Sequence, residues 1–166
     1  MNIKNKNGVT ITVLVITIIV MLILFGITFT TSTELLRNTQ KNKTKTMLYM
    51  VKSRAEILLD DYVFETDGKA ENEVPTDAEL QMLSGEKITD FSEINSLGYI
   101  DPPVDNKIIY RSWDESVLKT QGIDTKNLAN GDKIIVQYDI ENNEVEVAST
   151  KGYSKDGVAI HLLSDF

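Results

Sequence analysis

The side chains able to do chemistry in this chain are few and poorly spaced for it. His161 is the single histidine, and there is no cysteine. A cysteine-rich zinc site, a thiolate nucleophile and a disulfide framework are therefore excluded. With no histidine or cysteine to join it, His161 reads as a sheet-edge residue rather than a metal ligand. Asp60 and Asp61 are adjacent in a helical pattern and cannot share one face, whereas paired-carboxylate catalysis needs both groups to converge on one substrate. Asp139, Glu141, Asn142, Asn143 and Glu144 offer the oxygen donors that calcium takes, without the spacing of the twelve-residue calcium loop. A polar hairpin turn accounts for the same residues. Trp113 and Tyr110 are either an exposed binding pair or core, and size and apolarity favour core. No glycine-rich phosphate loop, nucleophile elbow or zinc-binding helix signature occurs. The expectation is a chain without enzyme chemistry, cofactor or metal.

The charges say more. The 166 residues hold 17 Lys plus Arg against 25 Asp plus Glu, net -8. This balance argues against direct nucleic-acid binding. Lys4 and Lys6 are the only charges before Glu34. Residues 31–60 carry net +3 and residues 61–166 net -13. Such segregation suits a protein with one end in a lipid bilayer.

The elements that must position these groups follow from hydropathy. Val9 to Phe29 reads VTITVLVITIIVMLILFGITF, 21 residues without a charge. As a helix this spans about 31 Å, close to a hydrocarbon core of roughly 30 Å. The expectation is a membrane-inserted helix with Lys4 and Lys6 on the cytoplasmic side. Residues 34–64 contain no Gly or Pro, and Met47, Val51, Ala55, Leu58 and Tyr62 recur at helical spacing. They form one apolar stripe, widened by Leu48, Leu59 and Val63. Residues 37–46 are polar all round, so a helix there is expected to need neighbours or to fray.

Beyond lies a small α+β head. Residues 65–75 read as a polar loop. Thr76 with Glu79 makes a capping box for a short helix carrying Leu80 and Leu83, and Gly85 ends it. Asp90 with Glu93 makes a second, with Phe91, Ile94 and Leu97 inward and Gly98 as its stop. Asp101-Pro102-Pro103 is a turn. Residues 107–111 read as a strand, and Ser112 with Glu115 opens a turn or brief helix carrying Trp113. Residues 133–140 and 144–150 flank a hairpin turn, and 158–163 make a last strand or edge segment. A three-stranded antiparallel sheet has one apolar face to cover, and the Met47–Tyr62 stripe is the natural cover. The fold class predicted is α+β, a long N-terminal hydrophobic helix packed on a small C-terminal antiparallel sheet. The segments are a basic leader (1–8), an apolar helix (9–33), its amphipathic continuation (34–64) and the head (65–166).

A short basic leader, MNIKNKNG, a glycine directly before an apolar run, a continuous helix and a C-terminal antiparallel sheet together resemble the type IV pilin and pseudopilin superfamily. The run NGVTITVLVITIIVMLILFGITF is most similar to pilin-like proteins of Gram-positive, clostridia-like bacteria. The ending YDIENNEVEVASTKGYSKDGVAIHLLSDF is similar to their closing hairpin and final segment. The resemblance covers residues 1–35 and 133–166 and is weak between. It implies cleavage by a prepilin peptidase after Gly8, methylation of the new N-terminal Val9, and storage in the cell membrane before assembly into a cell-surface filament. The implied partners are copies of the chain or related pilins, the assembly machinery and the bilayer. Val13, Ile16, Ile19, Leu22, Phe25 and Gly26 would then line the membrane and filament-core helix. Gly26 either lets the helix bend or a neighbour approach, or is an ordinary glycine of such a segment. Val13 departs from the family, which places a glutamate at that fifth mature position, and Val9 stands where a phenylalanine is usual. The basic residues Lys41, Lys43 and Lys45 would face an acidic surface of the next subunit, or lipid headgroups, or simply water. The alternative is a single-pass, signal-anchored extracytoplasmic domain that binds a protein partner.

The resemblance makes a prediction about processing. In cells with an active prepilin peptidase the mature chain begins at Val9, and Gly8→Val blocks the cut because a branched side chain stands beside the scissile bond. Intact-mass measurement checks both, and an unprocessed wild-type N-terminus refutes the first.

Overall fold

The computed structural model describes residues 7–66, 75–92, 95, 97, 107–155 and 158–166, with the backbone alone at 7–10, 27–33, 155 and 158. Helix α1 spans Asn7–Thr66. Short helices α2 (Asp77–Leu80) and α3 (Glu115–Thr120) follow in the head, and a 3-10 turn covers Leu163–Asp165. The strands are β1 (Glu86–Lys87), β2 (Ile108–Trp113), β3 (Ile134–Asp139), β4 (Glu144–Lys155) and β5 (Val158–Leu162). They pair antiparallel in the order β1-β2-β3-β4-β5, a strict meander. The class is α+β. The chain divides into two units, residues 1–40 and 41–166, and each is taken by itself.

In the first unit every residue from Asn7 on is helical. The helical assignment continues through 37–46, where the sequence suggested fraying. Arg, Gln and Lys are good helix formers, and Thr39 Oγ1 donates back to Leu35 O at 2.8 Å, so the segment needs no buried stripe to stay helical. Among the described residues no helix is long and apolar enough to cross a membrane. The uncharged stretch with described side chains, Ile11–Gly26, covers about 24 Å at 1.5 Å per residue.

In the second unit α1 lays one row of side chains on the sheet. Met47, Leu48, Val51, Ala55, Leu59 and Tyr62 are at most 4% exposed. They pack with Ile109, Trp113, Ile134, Val136, Tyr138, Val145 and Val147. These strand residues alternate with period two, as one face of a sheet requires. Leu58, expected in the row, is only partly buried, and Leu59 takes the centre. At about 100° per residue both fall along the arc of the row, Leu58 between Met47 and Val51 and Leu59 beside Leu48, so helical phase alone does not separate them. Thr66 ends the helix with its hydroxyl bonded back to Tyr62 O at 2.8 Å, so Glu65 and Thr66 belong to α1 rather than to a loop.

The sheet has five strands rather than three, and both its faces are covered. On the face away from α1, Tyr110, Ile135 and Ala148 are buried with Leu97, and Ile88, Phe91, Ile108 and Leu162 pack around them. The Phe91 and Tyr110 rings meet edge-on, centroids 5.6 Å apart. The Thr76–Glu79 capping box forms as read, with both reciprocal bonds. The cap of α3 is Asp114 rather than Ser112: its carboxylate accepts from Val117 N at 2.9 Å, and Trp113 becomes the end of β2. Gly85 lies at φ +106°, and a Cβ there would fall 2.6 Å from the Trp113 ring, so only glycine lets the β1 turn pass over the indole. The loop 67–74, Glu93, Ile94, Gly98 and the Asp101-Pro102-Pro103 turn lie outside the described residues.

Replacing Leu59 with alanine should cost about 2–5 kcal/mol of unfolding free energy, and Leu58→Ala distinctly less. Denaturant unfolding followed by the fluorescence of Trp113, the only tryptophan, measures both. Equal losses at the two positions would contradict this packing.

Candidate functional site

The residues singled out on the N-terminal helix form a surface, not a pocket. Val13, Ile16, Ile19, Leu22 and Phe25 are 50–67% exposed. The other large apolar side chains between Ile11 and Phe25 are 47–72% exposed, so this stretch of helix shows apolar surface on every side. A Cβ at Gly26 would meet nothing within 4 Å. Thr17 Oγ1 donates to Leu14 O at 2.8 Å, which removes a polar group from the outside of the helix. Gly8 and Val9 fall in the first turn of α1.

The three lysines differ in their surroundings. Lys43 is exposed and Lys41 half-buried. Lys45 donates to the Phe166 main-chain oxygen at 3.0 Å and lies 5.8 Å from the centre of the Tyr49 ring. Its ammonium bonds the 163–166 segment to α1. Beside it opens a cleft of about 430 Å³ lined by Lys45, Tyr49, Lys52, Glu56, Glu146 and Phe166. Two cations and two anions on its walls give it no preference for a ligand of either sign.

Several polar groups are buried that sequence patterns did not mark. Asp132 is 6% exposed and accepts from Ser149 Oγ at 2.7 Å, Thr150 Oγ1 at 2.8 Å and Lys151 N at 2.9 Å. Ser149 Oγ in turn accepts from Gly152 N at 2.8 Å. Together they fix the irregularity in β4, where the pairing with β5 shifts between Ala148 and Tyr153. His161 joins this turn: Nδ1 lies 2.9 Å from the Ser149 carbonyl oxygen, which can only accept, so Nδ1 carries the hydrogen. Aspartate, serine and histidine meet here without forming a nucleophile–base pair, because the serine hydroxyl donates to the carboxylate and the imidazole faces a carbonyl. Asp139, first of the oxygen-rich group, closes the hairpin by accepting from Asn142 N and Asn142 Nδ2 at 3.0 and 2.8 Å. No group of three or more histidine, aspartate or glutamate side chains that could hold a metal occurs among the described residues.

Arg111 is the other surprise. It is 7% exposed on the core face of β2, and its guanidinium caps the carbonyls of Leu80 and Gly85. Burial holds its pKa below the usual arginine range, against the pull of Tyr138 and Asp77. Tyr138 lies diagonally across on β3, because Arg111 pairs with Val136 and Ile109 with Tyr138. Trp113 Nε1 donates to Ser84 O at 2.7 Å, and the Tyr138 hydroxyl is buried without a hydrogen-bond partner among the described residues. Tyr110 and Trp113 are both core residues, 3% and 0% exposed. A polar clip ties the layers together: Arg54 Nε donates to Gln121 Oε1, and Gln121 Nε2 to Ser84 Oγ, each at 2.9 Å.

A further apolar row was missed. Met50, Ile57 and Phe64 on α1 are 44%, 48% and 80% exposed. Their spacing of seven was visible in the sequence, overshadowed by the stronger stripe on the other side of the same helix.

Burial raises the Tyr138 phenol far above its ordinary value, and the Arg111 charge opposes this only in part. In the unfolded chain the phenol titrates near pH 10, so the unfolded state binds fewer protons above that pH. The contribution is complete below about pH 10 and falls by up to ~1.4 kcal/mol per unit as pH rises beyond it. Tyr138→Phe should flatten this alkaline loss and, by deleting a buried unpartnered hydroxyl, raise stability at pH 7 by about 1 kcal/mol. Unfolding curves from pH 8 to alkaline pH for both chains check the two effects. Comparison with family models, curated proteins and solved structures finds no match to this chain.

Proposed function

We propose that this chain is the structural subunit of a type IV pilus-like or pseudopilus filament. The segment Val9–Phe29 would store it in the cell membrane, and bundling of like helices would build the fibre. The observation that carries this reading is the division of labour in α1. One face of residues 47–62 is covered by the chain's own sheet, while the large apolar side chains from Ile11 to Phe25 are 47–72% exposed. About 16 residues of uncharged helix in water are unfavourable, and lipid or other apolar helices relieve this equally well. Transfer from one to the other exposes no apolar surface, which is what filament assembly from a membrane store requires.

On this reading the partners are copies of the chain or related pilins, the prepilin peptidase and assembly machinery, and the bilayer. Nucleic acid is not among them, and the chain performs no catalysis and needs no cofactor. Val13 leaves the helix without the carboxylate that pilins usually carry, so registry rests on shape and on contacts outside the apolar segment. The rival reading is a single-pass anchored domain with a protein partner. It is favoured by the completeness of the head, which satisfies its own core without a neighbour.

Electron microscopy of sheared surface material, with antibody to the head, separates the two. Label on fibres supports the subunit, and its position along the shaft or at ends distinguishes a major from a minor one. Ile16→Asp and Ile19→Asp should each abolish labelled fibres, since a charge at mid-helix costs about 3 kcal/mol on insertion scales. A wild-type protein that stays monomeric in the membrane fraction while the machinery is expressed leaves only the anchored domain.

A further inference from the structure

The sheet ends in two unlike edges. At one, β1 is two residues long, and both of them, Glu86 and Lys87, are exposed charges. A short, charged edge discourages a further strand. At the other, β5 reads VAIHL, without lysine, arginine, carboxylate or proline. The uncharged run continues through Leu163 and Ser164, in a stretch, 61–166, whose net charge is -13. The extra residues of the irregular pairing between Ala148 and Tyr153 stand in β4, so no bulge interrupts β5 itself. β5 pairs with β4 alone, and among the described residues no main-chain hydrogen bond joins 159–162 to any other segment. In an antiparallel ladder, alternate residues turn their N–H and C=O to opposite sides. The outer side of β5 therefore carries donors and acceptors in the pattern that another strand needs. Ala159 is exposed, and Ile160 and His161 are half-buried.

We propose that β5 pairs edge to edge with β5 of a second copy, antiparallel about a two-fold axis at Ile160, so that two sheets become one. In this register Ile160 meets Ile160, Ala159 meets His161 and Val158 meets Leu162. A strand that pairs with its own copy sets its charges against one another, and like charges directly opposite are unfavourable. Each of β1 to β4 carries at least one charged residue, and β5 carries none. The two-fold register instead opposes β-branched and other apolar side chains, which is the favourable case. A basic segment of another protein would be drawn by carboxylates, which β5 does not offer, and this favours the second copy. The contact is isologous and closes at two chains. Five residues make a short ladder, less than the roughly 800 Å² per partner of a stable interface, so the pairing needs copies held close together. Both readings of Val9–Phe29, filament core and single anchor, supply that nearness, and the inference depends on neither alone.

The chain has no native cysteine, so introduced ones report position without background. Facing Cα atoms of an antiparallel pair lie about 4.5–5.5 Å apart, within disulfide reach. Full-length Ile160→Cys, oxidised in whole cells, should therefore give a band of twice the chain mass. The double variant Ala159→Cys with His161→Cys should do the same, and Ala159→Cys alone about tenfold less, because the two-fold sets 159 opposite 161. Lys126→Cys, exposed in the turn before β3, measures random collision. Adding Ile160→Lys to the 159 and 161 pair places charge on charge at the axis and should weaken its band about fivefold. Unchanged Trp113 fluorescence of the purified chain shows that the head stays folded. Bands from Ile160→Cys and from the 159 and 161 pair no stronger than that of Lys126→Cys overturn the proposal, and so does a cross-link to a chain of different mass. Fibres made without the dimer refute this pairing and leave the filament reading standing. The dimer without fibres, while the assembly machinery is expressed, supports the pairing and leaves only the anchored domain.

Discussion

The 41–166 unit depends on one row of α1 being kept from water. Met47, Leu48, Val51, Ala55, Leu59 and Tyr62 are buried against an apolar sheet face, and Leu83, Leu118, Ile123 and Leu163 join them in the same cluster. Each fully buried side chain of this size contributes about 1.5–3 kcal/mol relative to exposure, so the row as a whole outweighs any single polar contact in the head. Its phase on the helix then decides everything else on that helix. The positions facing away, Met50, Ile57 and Phe64, are left outside by geometry rather than by polarity, and a large apolar side chain on the outside is free to meet a second molecule.

Covering the other face of the sheet brings a different constraint. A strand buried on both sides must find partners for every polar group it carries. Asp132 is surrounded by three donors, and Trp113 Nε1 finds the Ser84 carbonyl. Arg111 does less well: its guanidinium caps two carbonyls, yet Nε has no partner among the described residues. With the Tyr138 hydroxyl it is the least satisfied place in the described core, where a polar side chain serves to hold the Leu80–Gly85 turn on the sheet at some cost in stability.

Much of this arrangement was legible in the residues. Helical spacing located the buried row because a 3.6-residue period leaves few alternatives, and the hairpin around Asn142–Asn143 followed from turn chemistry and alternation. The Thr76–Glu79 box is a local, two-bond motif and needed no tertiary context. What failed depended on distant neighbours. Strand β1 is two residues long and exists only because Glu86 and Lys87 pair with Ser112 and Arg111. Ser112 looked like a helix cap, but the ladder to β3 claimed it and passed the cap to Asp114. The choice between Leu58 and Leu59 was not legible, since both fall along the helical arc of the buried row. Lys45 read as a free cation until the 163–166 segment folded back beside it. The N-terminal helix is the opposite case: its composition announces an apolar environment without naming which one.

The strand order has a consequence for how the head comes into being. In a strict meander every strand pairs with the one before it, so the sheet needs no crossover, and β3 and β4 are joined by residues 140–143 alone. Hairpins of this kind form in microseconds. Synthesis, however, delivers the Met47–Tyr62 row first, and the strands that cover it start at Ile108 and continue to Leu162. For the time taken to make roughly fifty to a hundred residues, several seconds at ordinary elongation rates, an apolar helix face stands bare while its cover does not yet exist. The pace of the chain's maturation is therefore set by the order in which its parts emerge, not by the pairing of its strands, and a holding factor or a nearby bilayer surface is most useful to it in that interval.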